Sequence, residues 1–565
     1  MGKVLIVGGV AGGATAAARL RRLDEGAEIV MFERGGYISY ANCGLPYYIG
    51  GEIADKSALE LNTPEGFRAR FNIDVRVRHE VTAIDRAAKT VAVTDLATGA
   101  RYTEGYDKLI LSPGASPVVP DIPGIGSARV FKLRDIPDAY RIRDFLEGAR
   151  PASAVVCGGG YIGVEMAENL QKAGLSVTVV EMSDQVIAPL DYDMACGVHA
   201  HMRQKGVNLL LNCAVRRVED TGAGLRVHVS DSQSDNSPDD PSYKELAADM
   251  LVMAVGVKPD SRLAVSAGLS VNGRGGIAVD SRMRTSDADI YAVGDAAEVT
   301  DFVTRQKAMV ALAGPANKQA RVAAENICGL DSHYRDTQGS AILRVFDMAA
   351  AVTGINEKTA RRAGISYDKV YTYPLSHAGY YPGAASMCVK TLYEPGTGRI
   401  LGAQLTGPEG ADKRCDVFAA AIRAGMTAYD LTRLELCYAP PYSSAKDPVN
   451  TAGCVIENIL TGKVKTYHWH DVAGLPRDGS AALIDVRMPE EYAAGHIDGF
   501  ANIPLDELRA RLNELDRAKK VYVTCQVGLR GYTASRILTQ NGFDAYNLSG
   551  GYELYSTVRG EGERG

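Results

Sequence analysis

Two glycine-rich loops, about 150 residues apart and each joining an apolar strand to a helix, constrain this chain more than any other feature. The first lies in "KVLIVGGVAGGATAAARLRRL" (3–23), where Gly8, Gly9, Ala11 and Gly13 turn into an Ala-rich helix; a second apolar run, "AEIVMFERG", then ends at Glu33 and Arg34. Such a unit brings the backbone close to a pyrophosphate at a helix N-terminus, while the acid about 20 residues on accepts hydrogen bonds from a ribose. Val10 holds the middle glycine position, so this copy is incomplete. The second copy, "AVVCGGGYIGVEMAENLQKAGLSVTVVEM" (154–182), is complete: Gly158, Gly160 and Gly163, with Tyr161 and Ile162 opening the helix and Glu181 closing the strand. Two copies in one chain imply two bound dinucleotides. Glu181 would repel a 2′-phosphate, which favours NADH and leaves NADPH as the second choice.

A chain of 565 residues needs several domains. Its formal net charge is −6 and no basic block is interleaved with aromatics, so neither nucleic acid nor an anionic membrane is expected as a partner. The start lacks a signal-peptide apolar region, Ile6 breaks the myristoylation pattern, and no apolar run reaches the roughly 18 residues of a membrane span; the expected location is the cytoplasm. Ten cysteines are scattered without a CxxC pair, and His468 and His470 have no acidic or thiol partners at ligand spacing, so no metal site is expected.

The reading divides the chain at 1–115 and 255–325 (one nucleotide domain in two segments), 116–254 (a second), 326–450 (an α+β module that dimerises), 451–475 (a linker) and 476–565 (a small α/β domain). "DMLVMAVGVKPD" (249–260) and "TSDADIYAVGDAAE" (285–298) read as the return to the first domain, and 231–242 reads as a mobile acidic hairpin loop without a function.

Four further stretches carry a resemblance: "SYANCGLPYY" (39–48), "YAPPYSSAKDPVN" (438–450), "IDVRMPEEYAAGHIDGFANIP" (484–504) and "CQVGLR" (525–530). With the two glycine loops, they make the first 450 residues similar to the coenzyme A-disulfide reductases, within the pyridine nucleotide-disulfide oxidoreductases. The last 90 or so resemble a rhodanese domain. The fused type is linked to NADH-dependent persulfide or polysulfide reduction. The fold class implied is α/β: two Rossmann-like domains for FAD and NAD, an α+β dimerisation domain and a C-terminal α/β rhodanese domain.

The resemblance implies an NADH-dependent FAD enzyme that reduces coenzyme A disulfide, coenzyme A persulfide or polysulfide, working as a homodimer. Relatives with a CxxxxC helix supply two sulfurs beside the flavin; here the second position is Tyr48, so Cys43 would form a mixed disulfide with coenzyme A. Asn42, Ser39, backbone N–H groups and the isoalloxazine edge are expected to lower its pKa. FAD contacts are implied at Gly8, Gly9, Ala11, Gly13, Glu33, Arg34, Asn42, Ala115, Gly294, Asp295 and Ala313, and NAD contacts at Gly158, Gly160, Tyr161, Ile162, Gly163, Glu181 and Gly256. Thr15, Arg19 and Arg22, spaced to share one helix face, would meet a coenzyme A phosphate. Ser39, Asn42, Arg68, Asn317 and Lys446 complete that set, although Phe71 replaces a basic residue of some relatives. Tyr380, with Tyr381 as the competing choice, and Tyr438 match residues that reach across from a partner subunit. Cys525 would accept sulfane sulfur in a loop closed by Arg530 and braced by Asp485 and Arg487. Two other readings stay open: an NADH oxidase or peroxidase using Cys43 as a sulfenic acid, and a flavin-binding redox sensor without turnover.

Overall fold

A computed structural model describes residues 2–233 and 243–563. The proposed loop at 231–242 falls largely outside them; the strands that flank it, Leu225–Asp231 and Lys244–Ala248, pair antiparallel. The chain divides into two compact units, Met1–Ser183 with Gly206–Gly339, and Asp184–Lys205 with Ser340–Gly565.

The first unit holds two parallel five-stranded sheets. In one, the order is Ile290–Ala292, Lys108–Leu111, Lys3–Val7, Glu28–Glu33 and Asp74–Val77. In the other it is Asn208–Leu210, Ser176–Val180, Ser153–Cys157, Met250–Met253 and Val130–Lys132. The central strands are runs such as "VLI" and "AVV", buried throughout, as expected of strands covered on both faces. The strand at 250–253 therefore completes the second sheet instead of leaving it, which corrects part of the reading of 249–260. The return comes at Val257–Pro259, which pairs antiparallel with Ala115–Pro117.

Both glycine loops fold for the same steric reason. Gly8 (φ +97°) and Gly158 (φ +110°) sit in the left-handed region, and a Cβ added there would lie 2.0 Å from the Ser112 carbonyl oxygen and 2.3 Å from that of Ala254, respectively. One turn later, a Cβ at Gly13 or Gly163 would strike the carbonyl oxygen of Gly8 or Gly158 at 1.8 and 1.9 Å. These four glycines are required by the chain itself.

In the second unit, an antiparallel sheet ordered Ala341–Val345, Met348–Gly354, Ile400–Gly407, Cys388–Tyr393 and Asp368–Thr372 carries the helix Ala411–Arg423. A parallel sheet follows, ordered Lys465–Tyr467, Asp544–Leu548, Lys520–Thr524, Ala481–Asp485 and Ala501–Asn502. The stretch 451–475 thus does more than join modules, since its Lys465–Tyr467 strand is part of the terminal sheet. Residues 326–339, expected to open the antiparallel module, bond back into the first unit: the Tyr334 N–H donates to Ser281 and that of Thr337 to Thr300. The helix Tyr192–Gln204, expected inside the second nucleotide domain, groups with the second unit. No helix among the described residues is long and apolar enough to cross a membrane.

Candidate active site

Each nucleotide loop is tied to the acid that follows it. The Glu33 carboxylate accepts from the Gly9 and Gly35 N–H groups at 2.8 and 2.7 Å, and Glu181 repeats this with Gly159 and Ser183 at 2.6 and 2.8 Å. A carboxylate has about four lone-pair directions, so both acids retain acceptors for a ribose diol. Gly160 differs from its neighbours: its backbone (φ −73°, ψ −175°) suits any residue, and a Cβ there would meet nothing within 4 Å. Gly256, at φ +105°, likewise faces open space. Gly160 is needed only if something outside the chain approaches this closely, and this observation fits the loop to a dinucleotide. Tyr161 and Ile162 begin the helix behind it.

On the first sheet, Gly294 (φ +80°) opens the turn that presents Asp295, and its N–H donates to buried Gln319 at 2.7 Å. Ala313 starts the helix Ala313–Ile327. Ala115 is buried beside Pro259, and Arg34 pairs with Asp260 at 3.1 Å.

Cys43 lies in the single turn Asn42–Gly44 that leads into Leu45–Ile49. Leu45, Pro46 and Ile49 are buried and anchor this short helix, while Cys43 is exposed. Ser39 is held in the left-handed region (φ +44°), where a non-glycine residue costs on the order of 1 kcal/mol; its N–H donates to Gly9 at 2.8 Å and its carbonyl accepts from Leu61 at 3.1 Å. The strained residue thereby ties the cysteine turn to the first glycine loop.

Thr15 donates to Asn317 at 2.7 Å and Arg19 pairs with Glu325 at 2.5 Å, so the first helix and Ala313–Ile327 are laced together along one face. Arg321 binds the same Glu325 at 2.8 Å. Arg22 is exposed, and Arg68, also exposed, pairs with Asp74 at 2.9 Å.

In the second unit the Tyr380 and Tyr438 hydroxyls are hydrogen-bonded at 2.8 Å, with both residues exposed. Tyr381 has a different contact, packing on the edge of His377. Lys446 is exposed just before the helix Pro448–Leu460.

Cys525 directly follows the strand Lys520–Thr524, and its sulfur accepts the Gly528 N–H at 3.1 Å. Gly528 (φ +96°) caps the helix Leu529–Gln540. Behind the loop, the Tyr552 and Glu553 N–H groups donate to the carbonyls of Cys525 and Gln526. A Cβ at Gly551 would lie 2.5 Å from both of those oxygens. Arg487, buried against Asp485 at 2.7 Å, also donates to Gln526 at 3.1 Å and so braces the loop. The Arg530 guanidinium grips Glu491 with two bonds of 2.6 Å.

Comparison with known proteins follows this division. Residues 2–320 match the model of the pyridine nucleotide-disulphide oxidoreductases. The chain belongs to that family. Its residues 340–448 match the family's dimerisation domain, and 469–557 match a rhodanese-like domain. A coenzyme A disulfide reductase of Staphylococcus aureus is 35% identical over 80% of this chain and 99% of its own length. Among solved structures, the reduced CoADR-RHD of Bacillus anthracis is 49% identical with a TM-score of 0.95, covering 99% of this chain and 98% of that one. A NAD-dependent persulfide reductase from A. fulgidus is 38% identical with a TM-score of 0.90, covering 98% and 100%.

In this pyridine nucleotide-disulphide oxidoreductase the protein's own groups act on Cys43 against the expected direction. The Cys43 thiol is held above its ordinary value, not below it: the protein packed around it withholds solvent, and the Glu165 and Asp295 carboxylates oppose a second negative charge. Neighbouring N–H groups do not offset this. Cys525 is also pushed up by burial, against the N–H groups of Gly531, Val527 and Gly528 and the charge of Arg530. Sequence reasoning missed Glu165, which accepts from the Tyr47 hydroxyl at 3.2 Å; its position four residues after Tyr161 on the glycine-loop helix was the available signal. Glu325 and Glu491 were missed because their partners are remote in sequence.

The glycine geometry yields a separable test. Gly160→Ala is expected to change stability by no more than about 0.5 kcal/mol, while raising the KM for NADH about tenfold or more by displacing the dinucleotide. Gly158→Ala, strained at φ +110°, is expected to lower the melting temperature instead. Thermal denaturation and steady-state kinetics of the two variants distinguish these outcomes.

Proposed function

We propose that the chain is an NADH-dependent flavoenzyme that reduces coenzyme A disulfide and coenzyme A persulfide or polysulfide through a mixed disulfide between Cys43 and coenzyme A. The observation that carries this reading is Cys43 standing on its exposed turn with Tyr48 five residues on, where a second cysteine would complete a protein disulfide. The names of the relatives, coenzyme A disulfide reductase and NAD-dependent persulfide reductase, support it.

The Gly8–Gly13 loop, Glu33, Arg34, Asn42, Ala115, Gly294, Asp295 and Ala313 would hold FAD. Gly158, Gly160, Tyr161, Ile162, Gly163, Glu181 and Gly256 would hold NADH, with Glu181 set against a 2′-phosphate. When bound, this pair supplies two electrons beside Cys43. The rest is the work of the chain's own residues. Cys43 thiolate attacks the coenzyme A sulfur of a persulfide; the S–S bond breaks, hydrosulfide leaves, and Cys43–S–S–CoA remains. Attack on coenzyme A disulfide leaves the same product and expels coenzyme A thiolate. Two-electron reduction returns both thiolates. Thr15, Arg19, Arg22, Ser39, Asn42, Arg68, Asn317 and Lys446 would anchor the nucleotide end, and in a homodimer the Tyr380–Tyr438 hydroxyl pair of one subunit would protonate the thiolate leaving the other subunit's site. Cys525, held in the loop closed by Arg530, would load sulfane sulfur onto the coenzyme A thiol.

Mass spectrometry of the denatured, unreduced protein tests the central point. The expected result is a coenzyme A adduct on the peptide containing residue 43, together with steady NADH oxidation when coenzyme A disulfide is added and none with oxygen alone. An oxygen adduct on Cys43 with oxygen-driven NADH oxidation would overturn the proposal in favour of an oxidase, and absence of any turnover would leave a sensor.

A further inference from the structure

The loop of Cys525 contains charges that its role as a sulfur acceptor does not explain. Two guanidiniums stand at it, and neither is free. Arg530 spends both prongs on Glu491 at 2.6 Å, and Arg487 is locked to Asp485 at 2.7 Å. Glu553 joins them through Gln526, whose amide donates to it at 2.8 Å. Two cations therefore face three carboxylates. Glu491 is itself fixed, because it also accepts the Met488 N–H at 2.9 Å at the start of the helix Pro489–Ala493. What remains for an anion is the backbone: Gly528 donates to the sulfur at 3.1 Å, and the N–H groups of Val527 and Gly531 point the same way. That set can hold one sulfur-borne negative charge. The segments carrying Arg530 and Glu491 also expose two apolar side chains, Leu529 at 70% and Met488 at 47%.

We infer that Glu491 is a specificity-determining positioning residue: by occupying both prongs of Arg530 it leaves the Cys525 loop a hole for a single sulfur anion, selecting organic persulfides over thiosulfate. This rests on the proposed role of Cys525 as sulfur acceptor. With an organic persulfide, Cys525 thiolate attacks the terminal sulfur, the donor S–S bond breaks, and a thiolate RS⁻ leaves. Cys525 then carries the persulfide, and no external oxidant or reductant is needed. The uncharged arm of such a donor can lie on Leu529 and Met488. Thiosulfate reacts by the same attack and expels sulfite, but it brings two negative charges and no apolar arm to a loop whose two guanidiniums, among the described residues, are both paired with carboxylates.

The test uses the full-length chain with Cys43→Ser and no NADH, so that only loading of residue 525 is read, as the gain of one sulfur atom on its peptide. Coenzyme A persulfide and thiosulfate are the two donors. The parent is expected to load at least about tenfold faster from the persulfide. Glu491→Gln is expected to raise the thiosulfate rate about tenfold by releasing Arg530, with the persulfide rate changing less than about threefold. A purely structural role would depress both rates together and overturn the inference, as would a parent that prefers thiosulfate. Leu529→Lys, at an exposed position, adds an uncompensated cation and is expected to shift the ratio in the same direction; if Glu491→Gln fails to fold, this variant decides, and an unchanged ratio counts against the inference. Failure of the parent to load from either donor would overturn the acceptor role of Cys525 as well, an outcome distinct from an unchanged ratio.

Discussion

Cys43→Ser is expected to lower reduction of coenzyme A disulfide and persulfide about a thousandfold or more, because the only sulfur on the Asn42–Gly44 turn is removed and Tyr48 offers no substitute. The exchange is nearly isosteric at an exposed position, so the melting temperature should barely move. The intact enzyme's thiol has a further signature. Although Cys43 is surface-accessible, the protein packed around its turn partly desolvates it, and this first, then the Glu165 and Asp295 carboxylates, hold it above the ordinary thiol value, so in the reduced protein without substrate it stays protonated to higher pH than a free cysteine. Alkylation of Cys43 by iodoacetamide should accordingly rise through a midpoint above about 8.5. Removing a nearby negative charge makes the thiolate cheaper, so Glu165→Gln should shift that midpoint downward. A midpoint below that of free cysteine would mean that neighbouring donors dominate after all.

The thiol illustrates where sequence reading stops. Asn42 and Ser39 are polar and lie within four residues of Cys43, so a local view favours the thiolate. Desolvation sets the direction, and the two acids that add to it, Glu165 and Asp295, are more than a hundred residues away along the chain and reach Cys43 only through the fold. Steric requirements within a loop were legible, because Gly8, Gly13, Gly158 and Gly163 each avoid a carbonyl of their own unit or of the strand beside it. Helical spacing likewise placed Thr15, Arg19 and Arg22 on one helix. It was silent on Glu325, 306 residues beyond Arg19, which binds that arginine and reduces the positive charge available to a phosphate.

Tyr380 and Tyr438 came from resemblance, and the hydrogen bond between their hydroxyls left no trace in the sequence. For Arg530, the loop pattern indicated a ring-closing cation but not the carboxylate that grips it. In each case a side chain's own position was readable, while its partner's was not. Long-range charge pairing leaves no periodic trace.

Nowhere is this plainer than at Lys390, and Lys390→Met is expected to be the most destabilising single change outside the glycine loops. Its ammonium is fully buried and meets Asp191 at 2.9 Å, Asp193 at 2.8 Å and Glu357 at 2.5 Å. Asp193 also accepts from the Tyr371 hydroxyl at 2.5 Å and the Trp469 indole at 3.3 Å, so the helix Tyr192–Gln204, the antiparallel sheet and the segment entering the terminal sheet converge on one charge. Removing the ammonium leaves Asp191 and Asp193 buried without their cation and Glu357 with Lys369 and Arg361, each at 2.8 Å, a loss of about 3–5 kcal/mol. The pH dependence follows in sign. Burial alone would raise the Asp193 and Glu357 carboxyls, but Lys390 overrides it and holds both below the ordinary range. Depressed acids stabilise the native chain above their unfolded values near 4 and lose that contribution as pH falls toward the native values. In Lys390→Met burial wins at Asp193, which takes up a proton at higher pH, while Lys369 and Arg361 still hold Glu357; acidification therefore relieves the variant. The gap in melting temperature between the parent and Lys390→Met should therefore narrow from pH 7 to pH 5. A gap that stays constant would show that the lost interaction is packing around the lysine stem and not its charge.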